Sequence, residues 1–252
     1  MDFGLKNKTA LVTGGASGVG KGIVTILAQE GCNIVIGDLR YSDESKAYLS
    51  ALASENNVRI ECFEIDVTKE ECAKNIFAFA LDKFENVDIL VNCAGLGRRQ
   101  NFSELSTEDW HLIQNVNLNG PFFMSREYAH ICKEKNFAGN IVNVLSKSAY
   151  TTSSKDTTSY VSAKAGLVGL TRGMANELIQ WNIRVNGVVP GYVQGEKSYP
   201  DGDPKTEEIR KRLPLKKFAT PIEIGRVVAF LASDVSSQCV GSCIDCTGGT
   251  ML

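Results

Sequence analysis

The chain has 252 residues, 43% of them apolar, which is enough for one well-buried core, and α/β folds of this length commonly form a single domain. Its 27 Lys and Arg against 29 Asp and Glu leave a net charge of -2, so it lacks the basic field that holds nucleic acid or an anionic membrane surface. A small molecule is the expected partner. With no signal-peptide pattern from Met1 to Lys6, no membrane-length apolar run, and Cys32, Cys62, Cys72, Cys93 and Cys132 scattered through otherwise regular segments, the expected setting is a reducing cytoplasm with mostly buried thiols.

Lys8 to Thr13 is β-branched and apolar and reads as a buried strand. Thr13-Gly14-Gly15-Ala16-Ser17-Gly18-Val19-Gly20 follows, then Lys21 to Ala28 with apolar residues at helical spacing. Strand, glycine loop and helix in that order let a backbone approach a pyrophosphate, with the helix presenting unpaired N–H groups and its positive dipole end. A second strand, Asn33 to Gly37, ends in Asp38. An acidic side chain there accepts from the adenosine ribose hydroxyls and repels a 2′-phosphate, which favours NAD over NADP; Arg40 is the opposing feature, since it can reach such a phosphate.

Ser42 to Glu55 reads as helix, Val58 to Ile65 as a strand closed by Asp66-Val67, Lys69 to Phe84 as helix, and Val87 to Val91 as a strand before Asn92-Cys93-Ala94-Gly95. Strands alternating with helices of this length predict an α/β, Rossmann-like doubly wound parallel sheet of about seven strands with helices on both faces. Ligands of such sheets bind beyond the carboxyl ends of the strands, where Asp38, Asp66 and Asn92 fall.

Thr107 to Lys135 reads as two helical stretches around Asn115-Val116-Asn117-Leu118-Asn119-Gly120, whose asparagines weaken a helix locally. Gly139 to Leu145 is a buried strand, followed directly by Ser146. Thr158 to Trp181 is a long helical pattern carrying Tyr160 and Lys164, which sit one above the other on one helix face. A free phenol titrates near pH 10, and an ammonium about 4 Å away contributes roughly 4 kcal/mol, equivalent to about 3 pKa units before desolvation. That brings the phenol into catalytic range. Gly166, Gly169 and Gly173 permit close helix approach. Asn182 to Val189 reads as a strand running into Pro190-Gly191-Tyr192-Val193. Gly195 to Phe218, with breakers around a short helix at Thr206 to Arg212, reads as a substrate lid. Pro221 to Ser233 is the last helix and Gly241 to Cys246 the last strand. Cys239, Cys243 and Cys246 have no fourth Cys or His nearby, and Cys243 and Cys246 point to opposite faces of a strand, so no metal site is expected.

With the glycine loop, Asp66-Val67, Asn92-x-Ala94-Gly95 and Tyr160-x-x-x-Lys164 in this order, the chain resembles the short-chain dehydrogenase/reductase family from about residue 8 onward. The spacing Thr13-Gly14-x-x-x-Gly18-x-Gly20 is similar to the family's single-domain branch. The resemblance implies a dinucleotide held by Gly14, Ser17, Gly18, Val19 and Gly20 at its phosphates, by Asp38 at the ribose and by Asp66 and Val67 at the adenine. Asn92, Ala94 and Gly95 would line or steady the central strand, and Pro190, Gly191 and the Val193 backbone would meet the nicotinamide. It implies Tyr160 as general acid/base, Lys164 lowering its pKa and holding the ribose, Ser146 orienting the substrate C–O group, with Ser148 as an alternative, and Asn117 holding a water that links the lysine to solvent.

Three positions depart from the family pattern: Cys93 stands where Asn is usual, Gly195 where Thr is frequent, and Thr247 opens a segment that usually reads Asp-Gly-Gly. Lys147 and Lys155, in a slightly lengthened loop, read as solvated, though either can face an acidic substrate. The long helix's family counterpart packs against its copy, implying a homotetramer or dimer. The expected function is NAD-dependent interconversion of a secondary alcohol and a ketone, on a sugar, polyol or hydroxysteroid-type substrate. The alternatives are an NADP-dependent 3-oxoacyl or other carbonyl reductase and a non-catalytic dinucleotide-binding sensor. The lid residues Tyr192, Tyr199, Ile209 and Arg210 do not decide between sugar, steroid and acyl substrates.

Overall fold

The computed structural model describes residues 2–152, 155–195 and 198–252, in which seven short strands meet in one parallel sheet. They are β1 (Thr9–Thr13), β2 (Asn33–Asp38), β3 (Ile60–Glu64), β4 (Ile89–Asn92), β5 (Gly139–Val144), β6 (Ile183–Pro190) and β7 (Cys243–Cys246). Their order across the sheet is β3-β2-β1-β4-β5-β6-β7. The chain steps outward from β1 to β3, then returns to place β4 on the other side of β1. That reversal opens a crevice at the carboxyl ends of β1 and β4, as expected of a doubly wound sheet. Register sets the crevice walls, with Thr13 paired to Gly37 on one side and Asn92 on the other, and Asn143 paired to Asn92.

The interior strands β1, β4 and β5 are buried along their whole length. This is why they read as continuous apolar runs rather than alternating ones: helices cover both faces of a parallel sheet. On one face, α1 (Gly18–Gln29) and α2 (Asp43–Asn56) pack Ile23, Leu27 and Leu49 with Ile36 and Val91. On the other, α3 (Glu70–Lys83) brings Ile76 and Phe77 against Leu11 and Leu90. α4 (Thr107–Gln114) leads through a π-helical turn, Asn115–Asn119, into α5 (Gly120–Lys135), which adds Tyr128 to that second core. The asparagines thus widen the helix by one π turn instead of breaking it into two.

α6 (Thr158–Leu178) covers the same face, α7 (Pro204–Arg212) lies in the expected lid, and α8 (Pro221–Ala232) joins α1. α8 opens with a capping box between Thr220 and Glu223. The crossing of α1 and α8 is unusually close, because a Cβ on Gly22 would lie 2.3 Å from the Pro221 carbonyl and one on Gly225 would lie 2.5 Å from the Gly22 oxygen.

In α6, Gly166 approaches Leu118 closely, 3.0 Å from where a Cβ would sit, and Gly169 and Gly173 face open space within one chain. The expectation about the thiols needs correction. Cys32 and Cys132 are buried, but Cys62 is exposed and the other thiols are half-buried, so the thiols are not mostly buried. Ser153, Ser154, Glu196 and Lys197 lie outside the described residues, the last two within the expected lid. Among the described residues, no helix is long and apolar enough to cross a membrane.

Candidate active site

The crevice floor is the loop between β1 and α1. Gly14, at φ +69°, has no room for a side chain, since its Cβ would lie 2.8 Å from the Ala94 Cα, and a Cβ on Gly20 would lie 2.0 Å from the Gly14 oxygen. Ser17 precedes α1 without a side-chain capping bond, so the first N–H groups of the helix are not closed off by their own cap. A cavity of about 610 Å³ lies over this loop, a volume suited to a small ligand. Its lining includes Gly14, Ser17, Gly18, Val19, Gly20, Asp38, Asp66, Val67, Ala94 and Gly95 of the expected cofactor residues, together with Cys93 and Thr68, but not Asn92, Tyr160, Lys164, Pro190, Gly191 or Val193.

Asp38 is pinned at the rim: its Oδ2 accepts from the Ala16 N–H at 3.0 Å and its Oδ1 from the Leu39 N–H at 2.8 Å. Each oxygen keeps a lone pair for a further donor. Asp66 takes the Thr68 N–H and hydroxyl on one oxygen, at 3.0 and 2.7 Å. Arg40 is exposed. A bare glycine floor, a helix N-terminus and two fixed carboxylates fit the phosphates, ribose and adenine of a dinucleotide. Thr13 was quoted in the motif without a role; its hydroxyl accepts the Cys93 and Ala94 N–H groups, both at 3.1 Å, tying the end of β1 to the loop after β4.

Beyond Gly95 the crevice meets a second group. Asn117, fully buried on the π turn, donates to the Leu96 carbonyl at 2.8 Å and to the Ile113 carbonyl at 3.0 Å, and accepts from the Leu96 N–H at 3.3 Å. A Cβ on Gly95 would lie 3.2 Å from Asn117 Oδ1 and 3.9 Å from Lys164 Nζ, so the absence of a side chain there lets the two approach. Ser146 follows β5 directly; its hydroxyl bonds the Tyr160 phenol and accepts the Ser148 N–H at 3.2 Å. Ser148 therefore meets Ser146 through its backbone.

The electrostatics differ from the helix-spacing argument. Lys164 Nζ donates to the Val144 carbonyl at 2.8 Å and lies 5.9 Å from the Tyr160 ring centroid. Four residues on a helix align two Cα atoms, but the long lysine stem carries its charge inward to the end of β5. Burial holds the Tyr160 phenol above its ordinary range, with the Ser146 hydrogen bond pulling the other way. Burial also lowers Lys164 to about 8, opposed by the neighbouring Cys93 thiol. In this state the phenol is protonated. Cys93 itself is pushed up to about 12 by burial, so it is a neutral thiol beside the lysine.

Asn92 does not reach the cavity. Its amide donates to Ser125 Oγ at 3.0 Å and Asn143 Oδ1 at 2.8 Å, and Asn143 donates on to Thr171 Oγ1 at 2.9 Å, a buried network joining β4, β5, α5 and α6. Pro190 closes β6, Gly191 backs onto Thr247, and Val193 pairs with Ala219; these three stand on the β6 side of the site, outside the cavity over the glycine loop. Gly195 pairs with Ser198.

The substrate side is aromatic. Tyr199 stacks on Phe218 at 4.9 Å and meets Tyr192 edge-on at 5.4 Å. Lys147 is not solvated as expected: it is 7% exposed, with its Nζ 4.4 Å from the Tyr192 ring centroid. Burial holds the Tyr199 phenol above its ordinary range.

Residues 14–251 match a family model described as enoyl-(acyl carrier protein) reductase. The chain is 34% identical over 252 residues to the 3-oxoacyl-[acyl-carrier-protein] reductase FabG of Thermotoga maritima, covering 98% of this chain and 99% of the relative. It is 34% identical over 250 residues to the 2-dehydro-3-deoxy-D-gluconate 5-dehydrogenase of Escherichia coli, covering 98% and 96%. A solved short-chain dehydrogenase/reductase of Serratia marcescens superposes with a TM-score of 0.91 at 28% identity, covering 98% and 99%.

Proposed function

The chain belongs to the short-chain dehydrogenase/reductase family and is an oxidoreductase of CH–OH and carbonyl groups; on that premise we propose that it interconverts a secondary alcohol and a ketone by hydride transfer with NAD. The observation that carries the reading is the meeting of Ser146, Tyr160, Lys164 and Asn117 at the inner end of a glycine-floored crevice. NAD, when bound, supplies the hydride acceptor or donor.

The chain's own residues do the rest. Gly14, Ser17, Gly18, Val19 and Gly20 cradle the pyrophosphate against the α1 N-terminus. Asp38 takes the adenosine ribose and opposes a 2′-phosphate, and Asp66 and Val67 bound the adenine. Ala94 and Gly95 form a bare wall, Asn92 holds β4 from behind, and Pro190, Gly191 and Val193 face the nicotinamide. In reduction the protonated Tyr160 phenol gives its proton to the carbonyl oxygen while Ser146 donates a second hydrogen bond; in oxidation the phenol takes the proton back. Lys164 holds the ribose and brings positive charge to the site, and Asn117 keeps the Leu96 loop in place and supports proton exchange with solvent.

Tyr160→Phe is expected to bind NAD nearly as the wild type does while turnover falls by about 10²–10⁴-fold. Stopped NADH formation with intact cofactor titration is the supporting result; retained turnover rejects the assignment. A second reading, a 3-oxoacyl reductase, is favoured by the name of the FabG relative, and in this reading the cofactor is NADP. Titrating the wild-type chain with NAD and NADP separates the two, since the pinned Asp38 carboxylate predicts the tighter complex with NAD. The reading also takes the protein to be a cytoplasmic homo-oligomer, tetramer or dimer.

A further inference from the structure

β5 and β6 are neighbours in the sheet, with Val144 paired to Val188, so the chain leaves their carboxyl ends side by side, about 5 Å apart. Ser146 and Lys147 come just after β5, and the end of β6 runs through Pro190 into Gly191 and Tyr192. In the reading above, the first of these walls orients the substrate C–O group and the second faces the nicotinamide. Nothing in that reading uses Lys147.

Lys147 spans the gap between the walls. Its backbone is fixed in a short helical turn, Lys147–Ala149, capped by the Ser146 hydroxyl, and its carbonyl accepts the Tyr150 and Thr151 N–H groups, both at 2.9 Å. Its side chain crosses to the other strand end: the residue is 7% exposed, and its Nζ lies 4.4 Å from the Tyr192 ring centroid. An ammonium buried to this degree needs a partner for its charge, and the desolvated Tyr192 ring face is one. Tyr192 is itself anchored. Its carbonyl accepts the Ala219 N–H at 2.9 Å, the Gln194 N–H donates back to the Ala219 carbonyl at 2.8 Å, and its ring meets Tyr199 and the buried Phe218 edge-on at 5.4 and 6.3 Å.

We propose that Lys147 is a positioning residue: its ammonium over the Tyr192 ring locks the Ser146 turn to residues 190–193, holding the substrate C–O group and the nicotinamide face to face. This deepens the alcohol–ketone reading and rests on it. Hydride transfer needs its reacting atoms within about 3–3.5 Å, so any drift between the two walls is felt at the reacting centre. A link between the walls therefore acts without touching either ligand.

The test is the affinity of the full chain for NADH against ADP-ribose, which lacks only the nicotinamide. Lys147→Met keeps the apolar stem and removes the charge, and it is expected to weaken NADH roughly tenfold relative to ADP-ribose. Lys147→Arg, whose guanidinium also stacks on aromatic faces, should restore most of the ratio. Lys147→Met should change the ratio little in a Tyr192→Leu background, and as much as in the wild type in a Tyr192→Phe background, which keeps the ring. A ratio unmoved by Lys147→Met, or moved equally with and without the Tyr192 ring, overturns the inference. Amide exchange of the cofactor-free protein reads the same link with no ligand present: Gln194 and Ala219 should exchange roughly tenfold faster in Lys147→Met and near the wild-type rate in Lys147→Arg, with Val188 inside β6 unmoved. A wild type that binds neither nucleotide counts against the NAD reading alone; exchange then decides, and equal rates in the wild type and Lys147→Met overturn the link.

Discussion

Single residues show how far chemistry depends on where a side chain ends rather than where it starts. Lys164 is almost fully buried, and its pKa falls from 10.5 in the unfolded chain to about 8 in the fold. Between those values the unfolded chain holds more protons than the folded one, so stability rises with pH across the window and is lost as pH falls through about 8. The difference amounts to about 3 kcal/mol. In urea melts of the cofactor-free protein, the stability of the wild type minus that of Lys164→Met should climb by about that amount from pH 8 to 10.5. A flat difference would mean that the lysine is not desolvated as the fold has it. Spacing and family likeness were enough to propose Asn117, Ser146, Tyr160 and Lys164 as the site residues. The direction of the Lys164 stem was not, because the acceptor it finds, Val144, lies 20 residues away.

At the scale of elements, glycine does two separate jobs in α1. Gly20 belongs to the crevice floor, and Gly22, two residues on and so on roughly the opposite side of the helix, faces α8. A methyl group at Gly22 would overlap the Pro221 backbone, which cannot rotate away as a side chain can. Gly22→Ala is expected to cost about 1–3 kcal/mol of stability through overpacking, read as a lower denaturation midpoint. Unchanged stability would show that the two helices separate freely. The glycine loop was recognisable as a ligand turn from its own residues, whereas the Gly22–Gly225 contact joins positions two hundred residues apart and no local pattern announces it. The π turn lies between these cases: the three asparagines signalled a distorted helix, but only the hydrogen bonds of Asn117 to Ile113 and Leu96 show that the distortion continues the helix and clamps the loop above it.

For the whole molecule, the proposed oligomer is expected to form along α5 and α6. A groove of about 370 Å³ runs between α5 and α6, lined by Phe122, Ala129, Leu170, Gly173, Leu178 and Trp181, and a Cβ at Gly173 would stand in open space. The wild type is expected to sediment as a dimer or tetramer, and Gly173→Glu, which places a charge in that groove, to shift it toward monomer with unchanged far-ultraviolet circular dichroism. A monomeric wild type, or a variant as associated as the wild type, would remove the groove from the interface. Apolar runs, their alternation with helical periods, the glycine turn and the polar strand ends are local signals, so the doubly wound sheet and its ligand edge were readable from the chain alone. The burial of Lys147, the retreat of Asn92 behind the crevice and the inward turn of Lys164 were decided by packing. Each depends on groups far apart in the chain whose distance, burial and charge exist only after the sheet has brought them together.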